Sequence, residues 1–199
     1  MFAAADTVLD FWFGAAGAAA PVAERSARWF GNDPAFDATI RERFGATLAA
    51  ASAGLLDDWT RTPHGRLALL IVLDQFPRNM HRGTAAAFAS DARAQAIALA
   101  GLARGDDRLL EPLQRVFCYL PLEHAEDLQL QERCVDLFEA LHASVPAAHR
   151  AQFNGFLVYA RQHREVIARF GRFPHRNAAL GRIDTPQERD YLAQPGSGF

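Results

Sequence analysis

Residues Thr62 to Asn79 read TPHGRLALLIVLDQFPRN. Thr-Pro is a helix start, with Thr62 as N-cap and Pro63 at the first helical position, where its missing N–H costs nothing. The run that follows, RLALLIVLDQF, is apolar nearly all round. That predicts a helix buried centrally, since an amphipathic surface helix would keep a polar face. Pro77 is expected to end the helix at Phe76, because the residue before a proline is pushed out of the helical region. Arg78 and Asn79 then form a polar cluster with Asp74 and Gln75.

The punctuation on either side reads the same way. Asp33-Pro34 predicts a helix start, followed by Phe36, Ile40, Phe44 and Leu48 at i+4 spacing, with Gly54 as a stop. Ser90 is read as the cap of a helix from about Asp91 to Ala103, closed at Gly105. Pro112 opens a short helix that Pro121 is expected to break. A further helix is predicted from about Glu123 to His142, and a long one from near Pro146 to Gly171. Thr185, Pro186 and Glu188 make a capping box. Sustained period-2 alternation is absent, and Val, Ile and Thr are too few for a sheet. The fold class is therefore all-α. Helices of this length with short connections favour antiparallel hairpins stacked in a tetratricopeptide-repeat-like, right-handed array. The expectation is one domain over residues 1–199, with 193–199 a frayed tail.

The chain has 199 residues and a formal net charge of −2, so no basic field favours nucleic acid. Its 21 basic side chains are all Arg. Without Lys, Schiff-base chemistry and the phosphate-loop motif are excluded. AAGAAAP at 15–21 imitates a signal cleavage site, but Asp6 and Asp10 precede it and the first basic residue is Arg25, so a secretory n-region is absent. No run of about 20 apolar residues occurs, so no membrane span is expected. Cys118 and Cys134 sit among apolar neighbours and read as buried free thiols in a reducing cytoplasm.

Candidate chemistry is confined to helix ends. QFPRNMHRGT (Gln75–Thr84) is echoed by RFPHRNAALGR (Arg172–Arg182). Each has Phe-Pro, then Arg and Asn, then Gly four residues after the Asn. Two readings compete. In one, the loops are helix stops whose Arg and Asn side chains satisfy orphan carbonyls. In the other, the guanidinium and imidazole groups of the two loops converge on an anion, since Arg forks match carboxylate and phosphate. A third cluster is Glu123, His124, Glu126 and Asp127, where Glu126 and Asp127 have an ordinary role as helix caps. Glu123-His124 is a candidate acid–base pair. Phe11 to Phe13, Arg28 to Phe30 and Trp59 read as core aromatics, with the indole of Trp29 a possible pocket wall. Glu139 and His142 form a lone E-x-x-H, too little for a carboxylate-bridged metal site, so neither metal nor cofactor is expected.

VLDFWFG (Val8–Gly14), RWF (Arg28–Phe30), LDQFPRN (Leu73–Asn79), YLPLEHAEDLQLQ (Tyr119–Gln131) and RFGRFPHRNAALGR (Arg169–Arg182) together resemble an uncharacterised bacterial family, domain of unknown function 924. The similarity runs from Val8 to Leu192. It implies an all-α fold similar to tetratricopeptide repeats and brings no established activity or catalytic residue.

The residues themselves point first to a cytoplasmic binding protein for an anionic small molecule or acidic peptide segment. Asp74, Arg78, Asn79, Arg172, Arg176, Asn177 and Trp29 would form its binding set. The alternative is a hydrolase or transferase acting on an anion, with His124 or His175 as base and Glu123 as orienter. The third reading is a scaffold in which every cluster is capping.

Overall fold

The computed structural model describes residues 2–14 and 22–198, with backbone alone at 22–24. AAGAAAP lies outside the described residues. All regular structure among the described residues is helical: α1 (Ala5–Phe13), α2 (Val22–Phe30), α3 (Pro34–Ser52), α4 (Pro63–Leu70), α5 (Phe76–Met80), α6 (Asp91–Arg104), α7 (Pro112–Glu123), α8 (Leu128–Ser144), α9 (Arg150–Phe170) and α10 (Pro186–Leu192). The fold is all-α. The chain forms two compact units, Met1–Arg82 with Ala86–Glu111, and Gly83–Ala85 with Pro112–Phe199.

In the first unit the central stretch is buried throughout. Residues 65–70 of α4 are all buried, and so is the π-helical turn Ile71–Gln75 that follows. The Thr62 hydroxyl accepts from the Gly65 N–H, as the cap requires, and the Asp33 carboxylate accepts from Ala35 and Phe36 at the start of α3. Pro77 does not stop the helix. The π turn shifts the hydrogen-bond register, with the Phe76 N–H reaching the Ile71 carbonyl, and Pro77 falls in the first turn of α5, where its missing N–H is tolerated. Phe76 keeps helical angles, φ −59° and ψ −39°. Burial holds it there: its ring lies 4.9 Å from Phe44 and 5.6 Å from Trp12. Each such aromatic pair adds about 1 kcal/mol beyond area burial. Packing thus outweighs the local preference of the residue before proline.

Ser90 precedes α6 without capping it; its hydroxyl lies 3.3 Å from that of Ser52. Gly105, φ +74°, closes α6 in the left-handed conformation. Arg66 runs across α6 to reach Asp106 (2.9 Å) and the carbonyls of Thr60 (2.7 Å) and Ile97 (3.3 Å). It passes at Gly101, where an added Cβ would stand 2.4 Å from the Arg66 Cδ.

In the second unit α8 and α9 are an antiparallel hairpin, with Glu139 accepting from Arg161 at 2.7 Å across it. That accounts for Glu139 of the lone E-x-x-H as a surface ion-pair partner. Pro121 lies inside α7, which continues to Glu123. A proline in a last turn forfeits one backbone bond, and α7 recovers its end through the His124 N–H to Leu120 carbonyl bond at 2.9 Å. Glu123 and His124 therefore close α7. The next helix begins at Leu128, capped by Asp127, which accepts from the Leu130 N–H. Gln131, fully buried, donates to the carbonyls of Glu123 and Ala125 and fastens the α7–α8 turn. A 3₁₀ turn, Ala147–His149, precedes α9, and Gly171, φ +70°, ends it. The Thr185–Glu188 capping box is formed in both directions. Beyond α10, turn bonds run on, with the Ser197 hydroxyl donating to the Leu192 carbonyl.

Gly101→Ala is expected to lower stability by roughly 2 kcal/mol, because the new methyl displaces a buried, triply bonded guanidinium. In an exposed helix the same change stabilises by about 1 kcal/mol. Urea denaturation of the variant reads the sign, and a midpoint at or above wild type contradicts the account.

Candidate functional site

The twin Phe-Pro loops have different surroundings. In the first, Arg78 donates to both oxygens of Asp91 at 2.9 and 3.0 Å and to the Asp74 carbonyl at 2.7 Å. The Asp74 carboxylate is 3.5 Å away and also accepts from the Gln75 amide at 2.6 Å. Burial opposes the Arg78 charge, but Asp74 and Asp91 outweigh burial and hold its pKa above the ordinary guanidinium value. Asn79 donates to Asp37 at 2.8 Å, and Arg82 binds the same carboxylate through two nitrogens. Burial would raise the pKa of Asp37; the bonds from Arg82 and Asn79 leave it lowered instead. This loop ties α5 to α3 and α6. Trp29 is likewise engaged, donating its indole N–H to the Trp12 carbonyl at 2.9 Å inside the aromatic core.

In the second loop, Arg172 grips Glu188 at 2.6 and 2.7 Å and donates to the Ile183 carbonyl. The Arg172 bond holds Glu188 at a pKa of about 2. The Asn177 amide donates to Asp184 at 2.7 Å. Glu126, expected as a helix cap, instead accepts two bonds from Arg182 and one from the Phe173 N–H. Burial works to raise the Glu126 pKa, yet these bonds leave it lowered. Glu126 therefore pins the loop to the α7–α8 turn.

A further group of side chains is gathered around Phe173. The Arg176 guanidinium sits 4.4 Å from its ring centroid, and the rings of His175 and His163 are each 5.5 Å from it. His124 faces His163 with centroids 6.3 Å apart. Glu123 Oε1 lies 3.5 Å from His163 Nδ1, which also donates to the Tyr159 carbonyl at 2.9 Å. Glu123 and His163 are each 5% exposed and Arg176 is 6% exposed, while His124 and His175 are half-buried. Burial, followed by the like charges of His124, His175 and Arg176, pushes the His163 pKa down to about 3. Burial and the Glu123 charge push the Cys134 thiol well up, so it stays protonated. The structure thus brings together four residues singled out from sequence, Glu123, His124, His175 and Arg176. It adds His163, which the sequence reading missed. Its signal was position: His163 shares the buried stripe of α9 with Phe153, Leu157, Ala160 and Ile167. A groove of about 480 Å³ on α8 and α9 is lined by Leu128, Glu132, Arg164, Glu165, Ala168 and Arg169, none of which belongs to this cluster. Among the described residues no group of three His, Cys, Asp or Glu is disposed to hold a metal ion.

Arg78→Met removes the partner of the buried Asp74 and the half-buried Asp91 and is expected to cost roughly 3 kcal/mol by urea denaturation; an unchanged midpoint contradicts the pairing. His163 gives a pH signature. Its folded-state pKa, about 3, lies below the unfolded value of 6.5. Its contribution is therefore whole above pH 6.5 and is lost as pH falls from there toward 3. Wild type is expected to lose roughly 2 kcal/mol between pH 7 and pH 5 from this group alone, a loss absent in His163→Asn. Equal pH slopes for the two proteins contradict the burial of a neutral imidazole.

The family model described as a bacterial protein of unknown function, DUF924, matches residues 8–196. A solved structure of a protein of unknown function from Agrobacterium tumefaciens, ATU0120, is 40% identical, covers 95% of this chain and 96% of its own, and has a TM-score of 0.80. None of the curated proteins matches. The chain belongs to the DUF924 family of bacterial proteins.

Proposed function

We propose that the protein binds an anion, either a small molecule or the carboxylate of an acidic peptide segment, at the Phe173 cluster of the second unit. The observation that carries this reading is the gathering of the Arg176 guanidinium and the His175 and His163 rings on Phe173, with His124 facing His163. A planar guanidinium beside imidazole rings supplies donors that match an oxyanion. The binding set is therefore Arg176, His124 and His175, with His163 and Glu123 in support. Arg78 and Arg172 are engaged by carboxylates and serve the fold. The proposal includes a cytoplasmic location, in keeping with two buried free thiols. No described helix is long and apolar enough to cross a membrane.

The hydrolase or transferase reading is weaker. The imidazole beside Glu123 is His163, and a pKa of about 3 makes it a poor base at neutral pH.

Titration calorimetry with inorganic phosphate and with succinate at pH 6.5 tests the site on wild type, Arg176→Met and His124→Gln. Wild type is expected to bind at least one of them, with the affinity falling about tenfold or more in Arg176→Met, as loss of a charge-assisted pair requires. Equal affinities across the three proteins, or no heat in any, leave the cluster as a scaffold.

A further inference from the structure

We propose that the protein self-associates through the α8–α9 groove, two copies meeting across a two-fold axis that sets Glu165 of each against Arg169 of the other. The inference stands apart from the anion-site reading.

The groove lies wholly within the second unit. Leu128 and Glu132 reach it from α8, and Arg164, Glu165, Ala168 and Arg169 from α9. Its apolar members are Leu128, left 41% exposed at the start of α8, and Ala168. Its charged members are two carboxylates and two guanidiniums. On the same hairpin Arg161 is answered by Glu139. Among the described residues, Glu132, Arg164 and Glu165 enter no such ion pair. Glu165 and Arg169 stand four residues apart on one helix face, where pairing is open to them. The Arg169 guanidinium lies instead 4.6 Å from the Phe170 ring centroid. Val158, Gln162, Glu165 and Arg169 make an exposed stripe along α9.

The arrangement of charge selects the occupant. A partner of one sign is repelled by half of these four groups, whereas a second copy of the groove answers all of them. A two-fold axis perpendicular to α9 makes the two helices antiparallel, so that residue i meets j and j meets i. With the axis midway between Glu165 and Arg169, each stands about 3 Å from it along the helix. Each Glu165 then comes level with the partner's Arg169, and the pair is made twice. Ala168 lies beside that axis, so the crossing carries a methyl group and the helices can approach closely. A parallel meeting would set Glu165 on Glu165 and Arg169 on Arg169, which repels. Glu132 and Arg164 extend the mixed charge across the groove, and Leu128 supplies apolar surface for the contact to cover. Two hairpins joined in this way form a four-helix layer with antiparallel neighbours. A contact of this size belongs with small, reversible interfaces, and its exposed charges make it sensitive to salt.

Sedimentation velocity on the full chain tests the interface, with Glu165→Arg, Arg169→Glu and a one-to-one mixture of the two variants. Wild type is expected to dimerise with rising concentration at low ionic strength, and about tenfold less tightly in roughly 0.5 M salt. Each variant alone is expected to stay monomeric over the same range, because like charges then face each other across the axis. The mixture is expected to recover the dimer, because the arginines of one chain then face the glutamates of the other. Recovery requires both variants to be folded, so misfolding cannot mimic it. A wild type that is monomeric at every concentration overturns the proposal. So does a dimer that both single variants leave intact, or a mixture that stays monomeric.

Discussion

A guanidinium cannot shed its charge inside a protein, and this chain has no other basic side chain except histidine. Several arginines are met by carboxylates or by carbonyls, and the fold is arranged around these meetings. Arg66 takes Asp106, Arg78 takes Asp74 and Asp91, Arg82 takes Asp37, Arg172 takes Glu188 and Arg182 takes Glu126. The planar fork makes several of these pairs bidentate, which fixes direction as well as distance. Gly101 shows how far the backbone accommodates one of them: α6 forgoes a side chain where Arg66 passes.

The same constraint separates two loops that read almost alike. In the first, Phe76 joins Phe44, Trp12 and Phe11, and its Arg and Asn are answered by aspartates of α3 and α6. In the second, Arg172 and Asn177 are answered by Glu188 and Asp184, but Phe173 carries Arg176 and two imidazoles on its ring. One loop is a fastening. The other is a fastening with a cationic cluster on its inner face. The second Phe-Pro sequence carries one extra residue, His175 before Arg176, and its ring stands 5.5 Å from that of Phe173.

Burial then divides the histidines by role. His163 is held neutral by desolvation and by its neighbours, so it contributes shape and a fixed donor to Tyr159. His124 and His175 are half-buried beside it. Burial, and then the Glu123 charge at the end of α7, raise the Cys134 thiol out of reach of ordinary thiol chemistry.

Much of this was legible in residue order. Asp33, Thr62 and Thr185 each cap the helix they precede, Gly105 and Gly171 end theirs, and the all-apolar run through Leu73 is buried as its composition demanded. These are interactions within one helical turn, or the hydrophobic pattern of one segment, and such terms act before any tertiary contact forms. The polar clusters were also visible, because they interrupt the apolar pattern of the helices beside them. The prolines were misjudged for the complementary reason. The π turn puts Pro77 in a first turn where its missing N–H is tolerated, and Pro121 forfeits one backbone bond near the end of α7. His163 could not be tied to Glu123, forty residues earlier in the chain, until α7 and α9 were packed. Local sequence determined the helices, their caps and the pairing demand of every arginine. Only the tertiary structure decided which carboxylate met each arginine, and which imidazoles were left together around Phe173, because those choices depend on distances that no linear spacing encodes.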